Sequence, residues 1–184
     1  MKKVTLTIDG MEISVPAGTT VLEAAQKAGC DIPTLCHHEK LKPAGSCRLC
    51  HVEMTTSMRK DALLPACSTV VEEGMVVKTD TERVQKARQF ILALLLARAP
   101  NPPKLVELGR KYGVELKPDS SDSMLAFLAE RVEKRKAELG EEHLSWCILC
   151  GQCIRVCAEV VGMRAVGSAY RGPKKRIATP FFDI

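Results

Sequence analysis

The chain has 184 residues, of which 46% are hydrophobic, 27% charged and only 4% aromatic, and its formal net charge is +5. That apolar fraction excludes a wholly disordered or collagen-like chain, and the length suits one or two domains. The longest apolar run, Phe90 to Ala97, lies between Arg88 and Arg98 and is far too short to span a bilayer, so no transmembrane segment is expected. Met1 to Ile8 alternate charged and β-branched positions without an apolar core of signal-peptide length, which predicts a cytoplasmic protein.

The opening predicts a β-hairpin. Val4, Leu6 and Ile8 alternate, Asp9-Gly10 supplies a type I′ turn, and Glu12-Ile13-Ser14-Val15 returns before Pro16 and Gly18 break the pattern. Thr20 then caps a short helix, Glu23 three residues later completes a capping box, and Gly29 sits where a helix-ending glycine belongs. Extended segments follow at Leu49–Glu53 and Met75–Lys78. A hairpin, one helix across a sheet and further strands make a β-grasp, placed at residues 1–80.

From Thr81 to Arg98 the spacing turns helical, with Val84, Ala87, Ile91, Leu94 and Leu95 on one face. Ala99-Pro100-Asn101-Pro102-Pro103 ends that helix; Asn101 can cap the next, with Pro102 at its first position and Gly113 at its end. Residues 114–122 read as a loop and Ser123–Leu139 as a further helix stopped by Gly140. Its charge run, Glu130 to Lys136, is a solvated face.

Nine cysteines are too sparse and too unevenly placed for a small disulfide scaffold. Cys36, Cys47, Cys50 and Cys67 are spaced C-x10-C-x2-C-x16-C. Four thiolates brought together by a C-x2-C turn and more distant loops suit a [2Fe–2S] cluster, and the small residues Pro43-Ala44-Gly45-Ser46 let backbone N–H groups approach sulfur. A zinc site is the alternative, since Cys47-x2-Cys50 is also half of a zinc knuckle. Cys147-x2-Cys150-x2-Cys153-x3-Cys157 is the bacterial-ferredoxin run for a [4Fe–4S] cluster, with Gly151 permitting close approach. Ala158 replaces the usual following proline, and no cysteine follows Cys157. Either Cys157 closes the same cube, or a fourth ligand comes from elsewhere, or the working chain is longer. Cys30 has no partner at a ligand spacing and reads as a buried free cysteine. His37, His38 and His51 neighbour the cysteines, but four thiolates already suffice; His143 reads as a surface or supporting residue.

With two clusters bound, each contributing about −2 with its thiolates, the net charge approaches neutrality, so the basic sequence is no argument for nucleic acid. Aromatic-rich basic surface is also lacking. No Walker loop, GxGxxG, GxSxG or HExxH motif appears, which leaves no evident site for nicotinamide, flavin or substrate.

The segments VLEAAQKAGCDIPTLC, GSCRLCHVEM, PACSTVVEEGMVV and KTDTERV resemble the N-terminal [2Fe–2S] domain of the large iron–sulfur subunit of complex I. The same domain occurs in diaphorase subunits of NAD-reducing hydrogenases, in iron-only hydrogenases and in NAD-dependent formate dehydrogenases. WCILCGQCIRVCAEVVGMRAVGSAYRG resembles the first half of the two-cluster ferredoxin domain of those proteins. The resemblance implies that Cys36, Cys47, Cys50 and Cys67 bind the two-iron cluster and that Cys147, Cys150 and Cys153 bind a cubane. A further cluster held in many relatives by one histidine and three cysteines is not expected, because the stretch after LALLLARAP has no cysteine.

An α+β chain is therefore expected: a β-grasp [2Fe–2S] ferredoxin domain over 1–80, a helical connecting region without cluster ligands over 81–143, and a partial bacterial-ferredoxin-like [4Fe–4S] module over 144–184. The resemblance implies an electron-transfer subunit of a hetero-oligomeric complex, with a flavin/NAD(P)H-binding subunit and a catalytic redox subunit as partners. It would be a conductor and not itself a catalyst. The alternative is an iron–sulfur redox sensor or adaptor docking through helix 123–139. A free-standing ferredoxin fits poorly with the long cysteine-free middle.

Overall fold

The computed structural model describes residues 2–140 and 146–179. His143 and the end of the chain beyond Thr179 lie outside the described residues. Strands β1 (Lys3–Ile8) and β2 (Met11–Pro16) form the expected hairpin, with Ile8 opposite Met11 and a two-residue turn in which Asp9 (φ 47°) and Gly10 (φ 85°) are both left-handed. This is the type I′ geometry that Asp-Gly favours. Pro16 does not break the strand: it is the last residue of β2, and β2 is an edge, where a missing N–H costs no ladder bond.

Helix α1 (Val21–Lys27) starts on the reciprocal capping box: the Glu23 N–H donates to the Thr20 hydroxyl (3.3 Å) and the Thr20 N–H to the Glu23 carboxylate (2.8 Å). It ends on a Schellman turn. Gly29 is left-handed (φ 76°) and donates to the Gln26 carbonyl, while Cys30 N–H reaches Ala25. Val21, Leu22, Ala24 and Ala25 face the sheet and are fully buried.

The sheet is completed by β3 (His51–Thr55), β4 (Ala62–Pro65) and β5 (Val76–Lys78) in the order β2-β1-β5-β3-β4. Only the β1–β5 pairing is parallel, which is the β-grasp arrangement. The strand expected at 49–53 begins two residues later, because Leu49 and Cys50 belong to the cysteine turn. Strand β4 carries no alternating pattern, since it is itself an edge of the sheet and its two leucines are both half-buried. The Asp9 carboxylate accepts from the Thr79 N–H (2.7 Å) and hydroxyl, tying the hairpin turn to the end of β5.

Helix α2 (Glu82–Arg98) buries Val84, Arg88, Leu92 and Leu96, a stripe at four-residue spacing, plus Ala93. The expected face is corrected by this: Leu94 is exposed, and Ala87, Ile91 and Leu95 are only half-buried at its margin. A buried arginine occupies the middle of the stripe and disguises it. Helix α3 (Pro103–Lys111) begins one residue later than expected: Pro102 is the cap and Pro103 the first helical residue, with Gly113 left-handed beyond its end. Helix α4 (Ser123–Leu139) has the expected bounds and is capped by Asp122, whose carboxylate accepts from the Met124 and Leu125 N–H groups. Most of its charge run faces solvent, but Ala129 and Val132 are buried and Arg135 bonds the Ala97 carbonyl of α2.

Two cores result. One lies between α1 and the sheet and includes Cys50 and Cys67; the other unites α2, α3 and α4 around Leu92, Leu96 and Leu105, and includes Leu49 with Cys47 packed against it. From residue 146 onward, α5 (Gln152–Arg155) passes into a π-turn over Val156–Val160. Two short antiparallel strands, β6 (Gly167–Ala169) and β7 (Arg176–Ala178), follow. No helix among the described residues is long and apolar enough to cross a membrane.

Candidate metal centre

The seam between the two cores is where the first four cysteines meet. Cys36 stands on the loop leaving α1, Cys47 and Cys50 flank a turn in which Arg48 is left-handed (φ 64°), and Cys67 lies two residues past β4. Cys36, Cys50 and Cys67 are each only 1% exposed, and Cys47 is half-buried. The backbone holds the turns: Ala66 N–H donates to the Cys50 carbonyl (3.0 Å) and Cys47 N–H to the Cys36 sulfur (3.3 Å).

Their thiols hydrogen-bond one another. Bonds from the Cys47 and Cys67 thiols, helped by main-chain N–H groups of Cys47 and Ser46, hold the Cys36 thiol well below the ordinary thiol range. The Cys67 thiol and N–H bring Cys50 down to about 7 despite burial. Cys47 and Cys67, the donors, are pushed up, first by those same bonds and then by burial. Two of the four are thus shifted toward the thiolate, the form in which sulfur ligates metal, and binding would release the remaining protons.

The loop glycine fits this cradle. Gly45 is left-handed (φ 59°), and a Cβ there would approach the Ser68 Oγ to 3.1 Å. The neighbouring Ser46 N–H bonds the Cys36 sulfur, as the small residues of 43–46 lead one to expect. Among the described residues no three His, Cys, Asp or Glu side chains surround a single point in the manner of a mononuclear ion site. The sulfurs are instead neighbours in a chain, Cys47 to Cys36 to Cys67 to Cys50. Soft sulfur donors furnished with N–H groups suit an iron–sulfur core.

The histidines lie beside this group. His38 is exposed, and its Nδ1 accepts from the Lys40 N–H (3.2 Å). Burial, then the Arg48 and Arg88 cations, lower the His51 pKa. Cys30 is half-buried, not fully buried as expected, because the Schellman turn carries it to the edge of the core. Its thiol lies 3.8 Å from the Asp9 carboxylate, and burial followed by that charge raises its pKa.

The second run occupies the turn entering α5. Leu149 (φ 56°) and Gly151 (φ 73°) are left-handed, and the Leu149 N–H donates to the Cys147 sulfur (3.4 Å). A Cβ on Gly151 would meet nothing within 4 Å, so backbone conformation and not close approach is what calls for glycine there. Cys147 and Cys153 are exposed, and Cys150 and Cys157 half-buried. The Cys157 sulfur accepts from the Ala165 N–H (3.1 Å).

This turn sits directly on the first cysteine loop. Gln152 Nε2 donates to the Leu35 (3.4 Å) and His37 (3.2 Å) carbonyls, which flank Cys36. The Arg155 guanidinium donates to the Lys42 carbonyl (2.7 Å) and to the carbonyl of Cys36 itself. Glu159 accepts from the Lys42 N–H (2.9 Å). On the far side, buried Arg88 donates to the His51 carbonyl (3.2 Å) and meets the Tyr112 hydroxyl (3.4 Å). Arg88, Gln152 and Arg155 do not stand out in the sequence. The single available hint is that two of them lie inside a cysteine run.

A β-grasp that gathers three buried cysteines and the half-buried Cys47 has the arrangement of a two-iron ferredoxin-type domain. Residues 1–82 match the family described as the 2Fe-2S iron-sulfur cluster binding domain. Beyond that domain, nearly the whole chain is similar to large subunits of NADH-linked oxidoreductases. It is 34% identical over 185 residues to the mitochondrial NADH-ubiquinone oxidoreductase 78 kDa subunit of Candida albicans, covering 97% of this chain and 25% of that protein. It is 33% identical over 182 residues to the mitochondrial NADH dehydrogenase [ubiquinone] iron-sulfur protein 1 of Solanum tuberosum, covering 94% of this chain and 23% of that one. The chain thus spans about a quarter of the length of these relatives. A chain in the crystal structure of an NAD+-reducing [NiFe]-hydrogenase in the H2-reduced state superposes with a TM-score of 0.69 at 27% identity, over 96% of this chain and 75% of that one.

Proposed function

We propose that the chain is an electron-relay subunit of an NAD(P)H-linked oxidoreductase complex. Cys36, Cys47, Cys50 and Cys67 would hold a [2Fe–2S] cluster and Cys147, Cys150 and Cys153 a [4Fe–4S] cluster, with Cys157 as the candidate fourth ligand. The observation that carries this reading is the seating of the second cysteine turn on the loop of Cys36 through Gln152 and Arg155. A relay needs its stations adjacent, and these residues fix two cysteine sets at least 80 positions apart in sequence against one another.

When bound, the clusters would supply one-electron transfer. The chain's own residues exclude water from Cys36, Cys50 and Cys67, aim N–H groups of Ser46 and Cys47 at sulfur, and tie the two cysteine loops together through Gln152 and Arg155. The three units 1–80, 81–143 and 144–184 would serve as first centre, helical support and second centre. A flavin/NAD(P)H-binding subunit and a catalytic redox subunit would be its partners in a cytoplasmic hetero-oligomer. An adaptor docking through α4 finds less support, because Met124, Leu125 and Leu128 pack into the chain's own second core.

Iron, zinc and acid-labile sulfide measured on anaerobically purified protein, with EPR spectra after reduction, test the reading. About six irons per chain and two distinct reduced signals are expected. Stoichiometric zinc with a silent spectrum would overturn it.

A further inference from the structure

Resting on that reading, we propose that Arg155 is a shared electrostatic bridge that raises the reduction potentials of both iron–sulfur centres. Arg155 is carried by the turn between Cys153 and Cys157, two residues from each, so it belongs covalently to the second centre. Its guanidinium nevertheless rests on the carbonyl of Cys36, a cysteine of the first. No other cationic side chain among the described residues stands inside one cysteine set while hydrogen-bonding a member of the other.

Two further observations make the charge count. Every acceptor of Arg155 is a neutral main-chain carbonyl, Cys36 and Lys42, and among the described residues no carboxylate pairs with it in an ion pair. Glu159, one turn on, turns its carboxylate to the Lys42 N–H instead. In addition, the Arg155 Nε is buried without a hydrogen-bond partner. A half-buried cation held in no ion pair, with its Nε unpartnered, is favoured by negative charge nearby. The thiolate-bound clusters are that negative charge. Each reduction adds one more electron to them, and a fixed cation close to a centre favours its reduced form. One cation carried by the second cysteine run and anchored on the loop of the first moves both potentials in the same direction.

The test is EPR-monitored redox titration of the anaerobically purified full chain, preceded by iron and sulfide analysis. Wild-type protein is compared with Arg155→Met, Arg155→Gln and Arg155→Lys. The neutral variants are expected to keep both clusters and to shift both midpoint potentials downward, with Arg155→Lys restoring most of the shift. Unchanged midpoints in a neutral variant that retains both clusters would overturn the proposal. So would a shift in Arg155→Lys as large as that in Arg155→Met, which would mark geometry and not charge as the cause. If the neutral variants lose a cluster that Arg155→Lys keeps, the residue holds the turn and the electrostatic bridge is refuted. Wild-type protein with iron for only one centre would instead sink the relay reading itself, before any variant is compared.

Discussion

The Arg88 guanidinium, buried in the middle of α2, lies 3.2 Å from the carbonyl oxygen of His51, the residue that follows Cys50. The second core therefore grips the first at the point where the cysteine turn becomes strand β3. Tyr112 of the segment after α3 joins the same contact through its hydroxyl at 3.4 Å and its ring, whose centroid is 5.9 Å away. Replacing Arg88 by Met strands a buried carbonyl and should cost about 1–3 kcal/mol of stability, read by chemical denaturation. Arg88→Lys should recover little, because a point charge cannot reproduce a fork with two acceptors. A denaturation midpoint equal to wild type in both variants would contradict this role.

Gly45→Ala forces a left-handed residue to carry a Cβ against Ser68, costing about 1–2 kcal/mol in backbone strain. The cost falls on the loop that presents the Ser46 and Cys47 N–H groups to the Cys36 sulfur. Iron bound at the first centre should therefore fall, measured as iron content and visible absorbance, while the second centre's EPR signal persists.

Gly109→Ala would ordinarily favour a helix. Here the added methyl would meet the Leu96 side chain at 2.8 Å and the Val114 carbonyl oxygen at 2.9 Å, and a backbone atom cannot step aside cheaply. The variant should be less stable by about 1–3 kcal/mol, seen as a lower melting temperature.

Cys30→Ala should leave iron and sulfide content intact, since the Cys30 thiol faces Asp9 at 3.8 Å and not the other sulfurs. Loss of a whole cluster's iron would show that Cys30 is a ligand after all.

Local chemistry makes much of the first 80 residues legible. Asp9-Gly10 imposes its own turn, Thr20 with Glu23 imposes a helix start, and Gly29 a helix stop, all within a few residues of chain. The cysteine set is legible for a different reason: few other structures need four cysteines at such spacing. Strand β4 is not, because Ala62–Pro65 is short and unalternating and depends on β3 for its existence. The face of α2 is misread when arginine is placed outside, since Arg88 is 2% exposed. Its burial is repaid by a carbonyl and a tyrosine that lie 37 and 24 residues away, and no local pattern encodes such partners. Gln152 and Arg155 are hidden likewise, since their acceptors lie 113 to 119 residues upstream.

Across the seam between the two cysteine loops, the hydrogen bonds among the described residues take only main chain from the upstream side: carbonyls of Leu35, Cys36, His37 and Lys42, and the Lys42 amide. The downstream side offers only side chains, Gln152, Arg155 and Glu159. Mutational tolerance should therefore be lopsided. The identities at 37 and 42 are free to drift so long as the loop keeps its path, while Leu35 must still fill its place against the second core, and the three downstream positions hold the joint by their own functional groups.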